Sequence, residues 1–163
     1  MRPLKLMLLL TLMSPAGAAA PGVGSYVTAG LGSIDYVISR EAVAQVSGGI
    51  LFRLADDRVR IGVCGDVLSS HGYFSGRGGP LAEFALLPRG HRVRPFAGAG
   101  ILGADGGAMW MVGGGVDIWL RDAFGVRVAV QDALRSSTVY LDLVQGTAHT
   151  FHEPSFQVGI VWR

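Results

Sequence analysis

Along most of this chain, apolar and polar residues alternate with a period of two. From Ala44 to Leu54 one parity reads Ala44, Val46, Gly48, Ile50, Phe52, Leu54, and the other reads Gln45, Ser47, Gly49, Leu51, Arg53. From Arg58 to Leu68, Val59, Ile61, Val63 and Val67 oppose Arg58, Arg60, Cys64 and Asp66. The closing stretch sets Phe156, Val158, Ile160 and Trp162 against Gln157, Gly159, Val161 and Arg163. Such alternation predicts strands with one face in an apolar phase and the other in a polar one. Gly24–Gly32, Leu81–Leu87, Arg92–Leu102, Met109–Leu120 and Phe124–Leu134 follow the same rule, which makes eight segments. Most are close to the ~9–11 residues that a tilted strand needs to cross a membrane. Leu81–Leu87 is shorter and is expected to extend into its flanks.

The connections alternate as well. Ala55–Asp57, Pro88–His91 and Arg121–Ala123 are short, whereas Ser33–Glu41, Ser69–Pro80, Gly103–Ala108 and Arg135–Pro154 are mostly longer. Short turns on one side and long loops on the other are the layout of a transmembrane barrel, with the short set in the periplasm. Loop length is a property separate from alternation, so the two support the same strands from different sides.

The chain has 163 residues, enough for one domain. Its first segment has a different character. Arg2 and Lys5 precede the apolar run Leu6–Met13, and small residues follow from Ser14 to Ala20. This is the order of regions in a secretory signal peptide. Ala16-Gly17-Ala18 offers the cleavage site, so residues 1–18 read as a signal peptide and 19–163 as the barrel domain. The apolar run is far below the ~20 residues of a spanning helix. The formal charge of +2 resides in that leader, because the remaining arginines balance the acids one for one. No basic footprint for nucleic acid remains. One cysteine, Cys64, excludes an internal disulfide. Mean hydropathy is positive and glycine is abundant. An exported, apolar chain without spanning helices points to an outer-membrane β-barrel.

The polar parity then becomes a lumen. An eight-stranded barrel is just wide enough for side chains to fill. Arg53, Arg60, Asp66, Glu83, Arg94, Asp117, Arg127, Gln131 and Gln157 are predicted to meet there as a paired network. Asp117 and Arg127 lie at equal distance from the Arg121–Asp122 turn, which predicts a cross-strand pair. Asp132 strains the rule, because it shares its parity with Val126, Val128 and Val130. It is expected at the outer rim, or beyond a bulge that resets the register. On the apolar parity, Phe52, Phe124, Phe156 and Trp162 are predicted near the periplasmic ends and Trp110 near the outer end, as an interfacial girdle.

"RVRPFAGAGILG" (Arg92–Gly103), "GGGVDIWLRDAFGVRVAVQD" (Gly113–Asp132) and "EPSFQVGIVWR" (Glu153–Arg163) resemble the small OmpA-type outer-membrane β-barrel proteins. The resemblance covers the last seventy or so residues, and over the first half it is one of architecture. It implies an eight-stranded antiparallel up-and-down barrel, all-β, inserted by the barrel-assembly machinery. Such barrels usually end in an aromatic residue read by that machinery, whereas here Trp162 is penultimate and Arg163 last. No peptidoglycan-binding domain follows, so a cell-wall tether is not implied.

Other motifs are weaker. "GAGILG" (Gly98–Gly103) matches a dinucleotide fingerprint, but that chemistry needs a helix next, and "ADGGAMW" is not one. "HTFHE" places His149, His152 and Glu153 in the long last loop, with Ser136 and Ser137 at its start. Those residue types suit a lipid A hydrolase at the rim, provided they converge within hydrogen-bond reach. Their spacing fits no zinc pattern. "SSHGYFSGRGG" (Ser69–Gly79) is read as a mobile loop or a contact for lipopolysaccharide or another partner. Cys64 has the parity of a packed lumen residue.

The reading is therefore an outer-membrane barrel with a structural or surface-interaction role and a filled lumen, not an enzyme, with no metal or cofactor. Its expected partners are outer-membrane lipid, lipopolysaccharide and the assembly machinery, with no nucleic acid or nucleotide, and it is expected as a monomer. Two rivals are a rim-acting lipid hydrolase and a soluble periplasmic barrel holding a small apolar ligand. The latter requires the opposite parity inside.

Overall fold

The computed structural model describes residues 22–36, 39–71, 73–104, 107–142 and 145–163; of residues 104, 137–142 and 145–149 it describes the backbone alone. The leader read at residues 1–18 lies outside the described residues. Eight strands follow one another: β1 (Val23–Asp35), β2 (Arg40–Leu54), β3 (Val59–Ser70), β4 (Tyr73–Ala85), β5 (Val93–Ala104), β6 (Gly107–Arg121), β7 (Phe124–Asp142) and β8 (Gln145–Trp162). Each pairs antiparallel with the next, and β8 pairs with β1, which closes the barrel. Closure leaves no unpaired sheet edge, the condition for placing backbone in an apolar phase.

The register fixes the shape. From Val23 the pairs run through Phe52, Ile61, Ala82, Ala99, Val112 and Asp132 to Pro154. Pro154 adjoins the Ser155–Gly32 pair, so the circuit returns to β1 at Ser33, ten residues beyond its start. A stagger of this kind tilts the strands to about 35–45° from the barrel axis. Strong curvature at this size brings backbones close on the concave side. A Cβ on inward-facing Gly62 would lie 1.9 Å from the Ile50 carbonyl oxygen, and one on Gly159 2.0 Å from that of Val27. Glycine at these two positions is a requirement of the bend.

The predicted strands are all present, but the predicted long loops are not. Ser69–Pro80 is mostly the upper end of β3 and the lower-numbered half of β4, and Arg135–Pro154 is the upper part of the β7–β8 hairpin. The backbone ladder continues past the apolar band, where alternation fades because both faces can be polar. The asymmetry thus lies in strand overshoot, and the β7–β8 hairpin reaches furthest, with 19- and 18-residue strands.

Burial follows parity. Val46, Ile50, Ile61, Val63, Val93, Val112, Val130, Phe156 and Val158 face outward and are exposed, while Gln45, Asp66, Glu83, Asp117 and Gln157 face inward and are buried. This arrangement has apolar residues outside and charge inside, the reverse of what a soluble carrier of apolar ligands needs. A smaller apolar collar of Tyr26, Leu51, Leu81, Leu102, Met111, Trp119, Ala133 and Val161 packs between the charged groups.

Among the described strand residues, the outward face carries no charge between Arg121, opposite Phe124 at the short-turn end of β6, and Asp132 on β7, His152 on β8, Asp35 on β1 and Arg40 on β2 at the other end. Asp132 keeps its outward register without a bulge, opposite Val112 and Pro154. Its Oδ2 lies 2.8 Å from His152 Nδ1 and its Oδ1 accepts the Glu153 amide at 2.9 Å. It marks the rim of the apolar band, although β7 runs on to Asp142.

The aromatic girdle needs one correction. Phe52, Phe124 and Trp162 sit at the short-turn end, and Trp110 sits towards the other. Phe156, however, lies opposite Leu31 and Val130, six residues up β8 from Trp162, and so stands one outward position below the Asp132–Pro154 rim, far from the short-turn end. The cause is the length of β8, which starts at Gln145, well before Phe156.

Candidate functional site: the polar lumen

The lumen holds two ion-pair clusters. In the lower one, towards the short turns, Asp117 and Arg127 stand directly opposite each other on β6 and β7. Arg127 donates to both Asp117 oxygens, Nε to Oδ1 at 2.8 Å and Nη2 to Oδ2 at 3.1 Å. Its remaining donors reach Glu83 at 2.7 and 3.0 Å. One guanidinium therefore bridges carboxylates from β4 and β6, which its planar fork suits. The rings of Tyr26 and Phe96 lie 4.4 and 4.2 Å from its carbon, adding cation–π contact on its faces.

Arg60 extends this chain. Its Nη1 donates to Asp117 at 2.7 Å and to Glu83 at 3.3 Å, and its Nε to Asp57 at 3.2 Å. Arg94 completes the cluster through the Asp57 carboxylate, the Asp57 carbonyl at 2.8 Å and the Leu87 carbonyl at 3.2 Å. Three arginines thus face three carboxylates. Their mutual attraction can offset desolvation only because nearly every proton and lone pair is used.

The upper cluster is acidic in balance. Arg77 bonds Asp66 at 2.7 Å and also pairs with Glu153. Gln45 donates to Asp66 at 2.6 Å and to Ser47 at 3.1 Å. Between the clusters, Thr28 donates to Gln157 at 2.6 Å and Gln157 to Ser155 at 3.2 Å. A cavity of about 30 Å³ remains beside Tyr26, Thr28, Glu83, Arg127, Gln131 and Gln157. That volume holds one or two waters.

Of the nine lumen residues predicted, Arg60, Asp66, Glu83, Arg94, Asp117, Arg127 and Gln157 are buried inside and hydrogen-bonded to one another or to close neighbours. Gln131 is half-buried and lines the mid-lumen cavity. Arg53 differs: it is half-buried at the lower mouth, and its Nε and Nη1 have no hydrogen-bond partner. Its neighbour across the ladder is Arg60, a like charge.

Three charged members were missed. Arg77 and Glu153 fall in stretches that read as loops, yet counting by twos from Glu83 and Gln157 leads to both. Asp57 had no such signal. It ends a turn in which Ala55, Asp56 and Asp57 all have positive φ, at 47, 57 and 64°. That turn tucks the Asp57 carboxylate under the barrel, where Arg94 holds both it and its carbonyl.

Among the described side chains of the rim residues suited to a hydrolase, His152 and Glu153 diverge. Glu153 faces inward to Arg77, whereas adjacent His152 faces outward to Asp132. Ser136 is exposed, and the side chains of Ser137 and His149 lie outside the described residues. No group of three metal-ligating side chains forms among the described residues. Cys64 is a free, half-buried thiol against the apolar collar.

Charge is unevenly placed between the ends. Arg53, Arg58, Arg60, Arg89, Arg92, Arg94, Arg121, Arg127 and Arg163 all lie in or near the short-turn end. The opposite end has Arg40, Arg77 and Arg135 and is richer in acids, with Asp35, Glu41, Asp66, Asp132, Asp142 and Glu153.

No family model matches the chain, and no curated protein matches it. Solved structures do match in fold. Neisserial surface protein A superimposes with a TM-score of 0.66 at 12% identity, covering 86% of this chain and 96% of that one. The N-terminal β-barrel domain of Pseudomonas aeruginosa OprF gives 0.55 at 15% identity, covering 85% and 97%. A de novo designed transmembrane β-barrel gives 0.55 at 12% identity, covering 90% and 98%. The shared property is the eight-stranded barrel.

Proposed function

We propose that this chain is an integral outer-membrane protein that serves as a structural and surface-exposed element, with a lumen closed to ions. The observation that carries this reading is the lower ion-pair cluster, where Arg127 and Arg60 bridge Glu83 and Asp117 across the bore. The outward apolar face supports the membrane assignment, and the match to the barrels of Neisserial surface protein A and OprF is consistent with it. Lipid and lipopolysaccharide contact the outer wall in this reading. The overshooting β7–β8 hairpin and the exposed Tyr73 and Phe74 at the start of β4 form the surface presented outward. The barrel inserts as a monomer with the help of the assembly machinery.

Two measurements test the proposal. The protein should resist extraction by carbonate, and purified barrel in a planar lipid bilayer should give no steady single-channel conductance. Release by carbonate would remove the membrane assignment. A stable open level would remove the closed lumen.

A further inference from the structure

Among the described residues, six buried side-chain nitrogens have no hydrogen-bond partner, and five of them belong to four residues at the short-turn mouth. They are Arg53 Nε and Nη1, Arg60 Nη2, Trp119 Nε1 and Arg163 Nη1. All four residues line a single cavity of about 10 Å³ at the short-turn mouth, walled by Gly24, Leu51 and Val161. Every one of these nitrogens is a donor.

The neighbouring bonds explain why these donors are left over. Arg60 uses Nη1 on Asp117 and Nε on Asp57. Arg163 donates Nε to the Asp122 carbonyl at 2.7 Å and stacks 4.0 Å over the Trp119 ring, which holds both side chains in place. The one carboxylate lining the cavity, Asp57, is engaged by Arg94 and Arg60 and stands 3.9 Å from Arg163 Nη1, too far for a hydrogen bond. Three guanidinium groups thus face one carboxylate that is already shared. Buried donors and uncompensated buried charge are both costly.

We infer that the short-turn mouth is an oxyanion site that takes one oxygen of a phosphate group, supplied either as free phosphate or by a phospholipid headgroup of the adjacent leaflet. The cavity is about the size of one water or one oxygen. A water would need acceptors for its own two protons, and Asp57 is the only charged one there. A phosphate oxygen needs none, accepts several N–H donors and offsets the excess positive charge, as arginine forks do elsewhere. The free-phosphate arm stands without the membrane reading, and only the headgroup arm depends on it.

The Trp119 indole N–H is a built-in reporter. In the first arm, the ¹⁵N-labelled barrel in maltoside micelles, which carry no phosphate, is titrated with sodium phosphate at constant ionic strength. In the second, the same micelles are compared with and without added phosphatidylglycerol, with no free phosphate present. A saturable shift of the Trp119 indole signal is expected in at least one arm, and which arm responds identifies the source. Arg163→Gln, beyond the last strand, should weaken the response about tenfold or more while the barrel stays folded. Arg53→Gln should do the same, and Arg58→Gln, at the same end but outside the cavity, should not. No shift in either arm, an equal shift with sodium chloride, or an unchanged affinity in Arg163→Gln would overturn the site. Failure of the carbonate test with success of the free-phosphate arm would remove the membrane and leave the site standing.

Discussion

Asp117→Ala is the sharpest test of the lumen. Asp117 is fully buried and accepts two hydrogen bonds from Arg127 and one at 2.7 Å from Arg60. Removing it leaves three arginines against Asp57 and Glu83. At an effective dielectric of ~20, a unit pair about 4 Å apart is worth about 4 kcal/mol. Breaking one partner of a buried pair usually costs about 3–5 kcal/mol, because the other charge stays buried. Asp117→Ala should therefore lower unfolding stability by about 3–5 kcal/mol, read as a shifted urea midpoint in lipid vesicles by tryptophan fluorescence. Arg127→Ala should cost at least as much, since it also removes two of the three hydrogen bonds to Glu83 and the contacts with the Tyr26 and Phe96 rings. In the double variant Glu83 still has Arg60 at 3.3 Å. Its loss should fall short of the sum of the singles by about 1–3 kcal/mol. If Asp117→Ala costs under about 1 kcal/mol, the value of an exposed pair, or if the singles add, the network is not the element that holds the lumen closed.

The other expectations concern the wall and the rim. Val128→Arg, on the outward face opposite Val116 and Val158, should cost about 2–4 kcal/mol in a bilayer, measured by the same unfolding; an unchanged midpoint would place Val128 away from lipid. Gly159→Ala puts a Cβ 2.0 Å from the Val27 carbonyl and should destabilise by about 1–3 kcal/mol; a neutral result would mean the strands can part there. At the rim, the Arg40 hydrogen bond holds Asp35 below the usual carboxylate range. That contribution is present above the ordinary value of about 4 and disappears as pH falls through the depressed one. Carboxyl NMR titration should show Asp35 returning to the ordinary value in Arg40→Gln, and no change there would exclude the pair.

How much of this was visible in the sequence depended on whether period two persisted. Where one face is apolar and the other charged, as around Asp117 and Arg127, parity located the strand, its facing and the partner across the turn. Above the apolar band, parity lost its contrast. Gly76, Gly78 and Gly79 around Arg77, and Pro154 and Ser155 beside Glu153, read as loop residues while continuing the ladder. Asp57 was out of reach for another reason: it arrives through a tight turn of positive φ, which alternation cannot encode. Phe156 was assigned the right face at the wrong height, because parity gives orientation and says nothing of where along the barrel a strand begins.

The uneven placement of arginines has a consequence for how the barrel enters a bilayer. If it is threaded from the short-turn side, as the proposed reading requires, the opposite end must traverse the hydrocarbon. That end carries three arginines, of which Arg77 is covered by Asp66 and Glu153 and Arg40 is paired with Asp35. The trailing end carries nine, none of which has to cross. An arginine at the midplane costs about 2–4 kcal/mol, and an acid less, so passage in the reverse sense would meet a far higher barrier. On that reading, the uneven charge gives a kinetic bias towards one orientation, added to whatever the assembly machinery imposes.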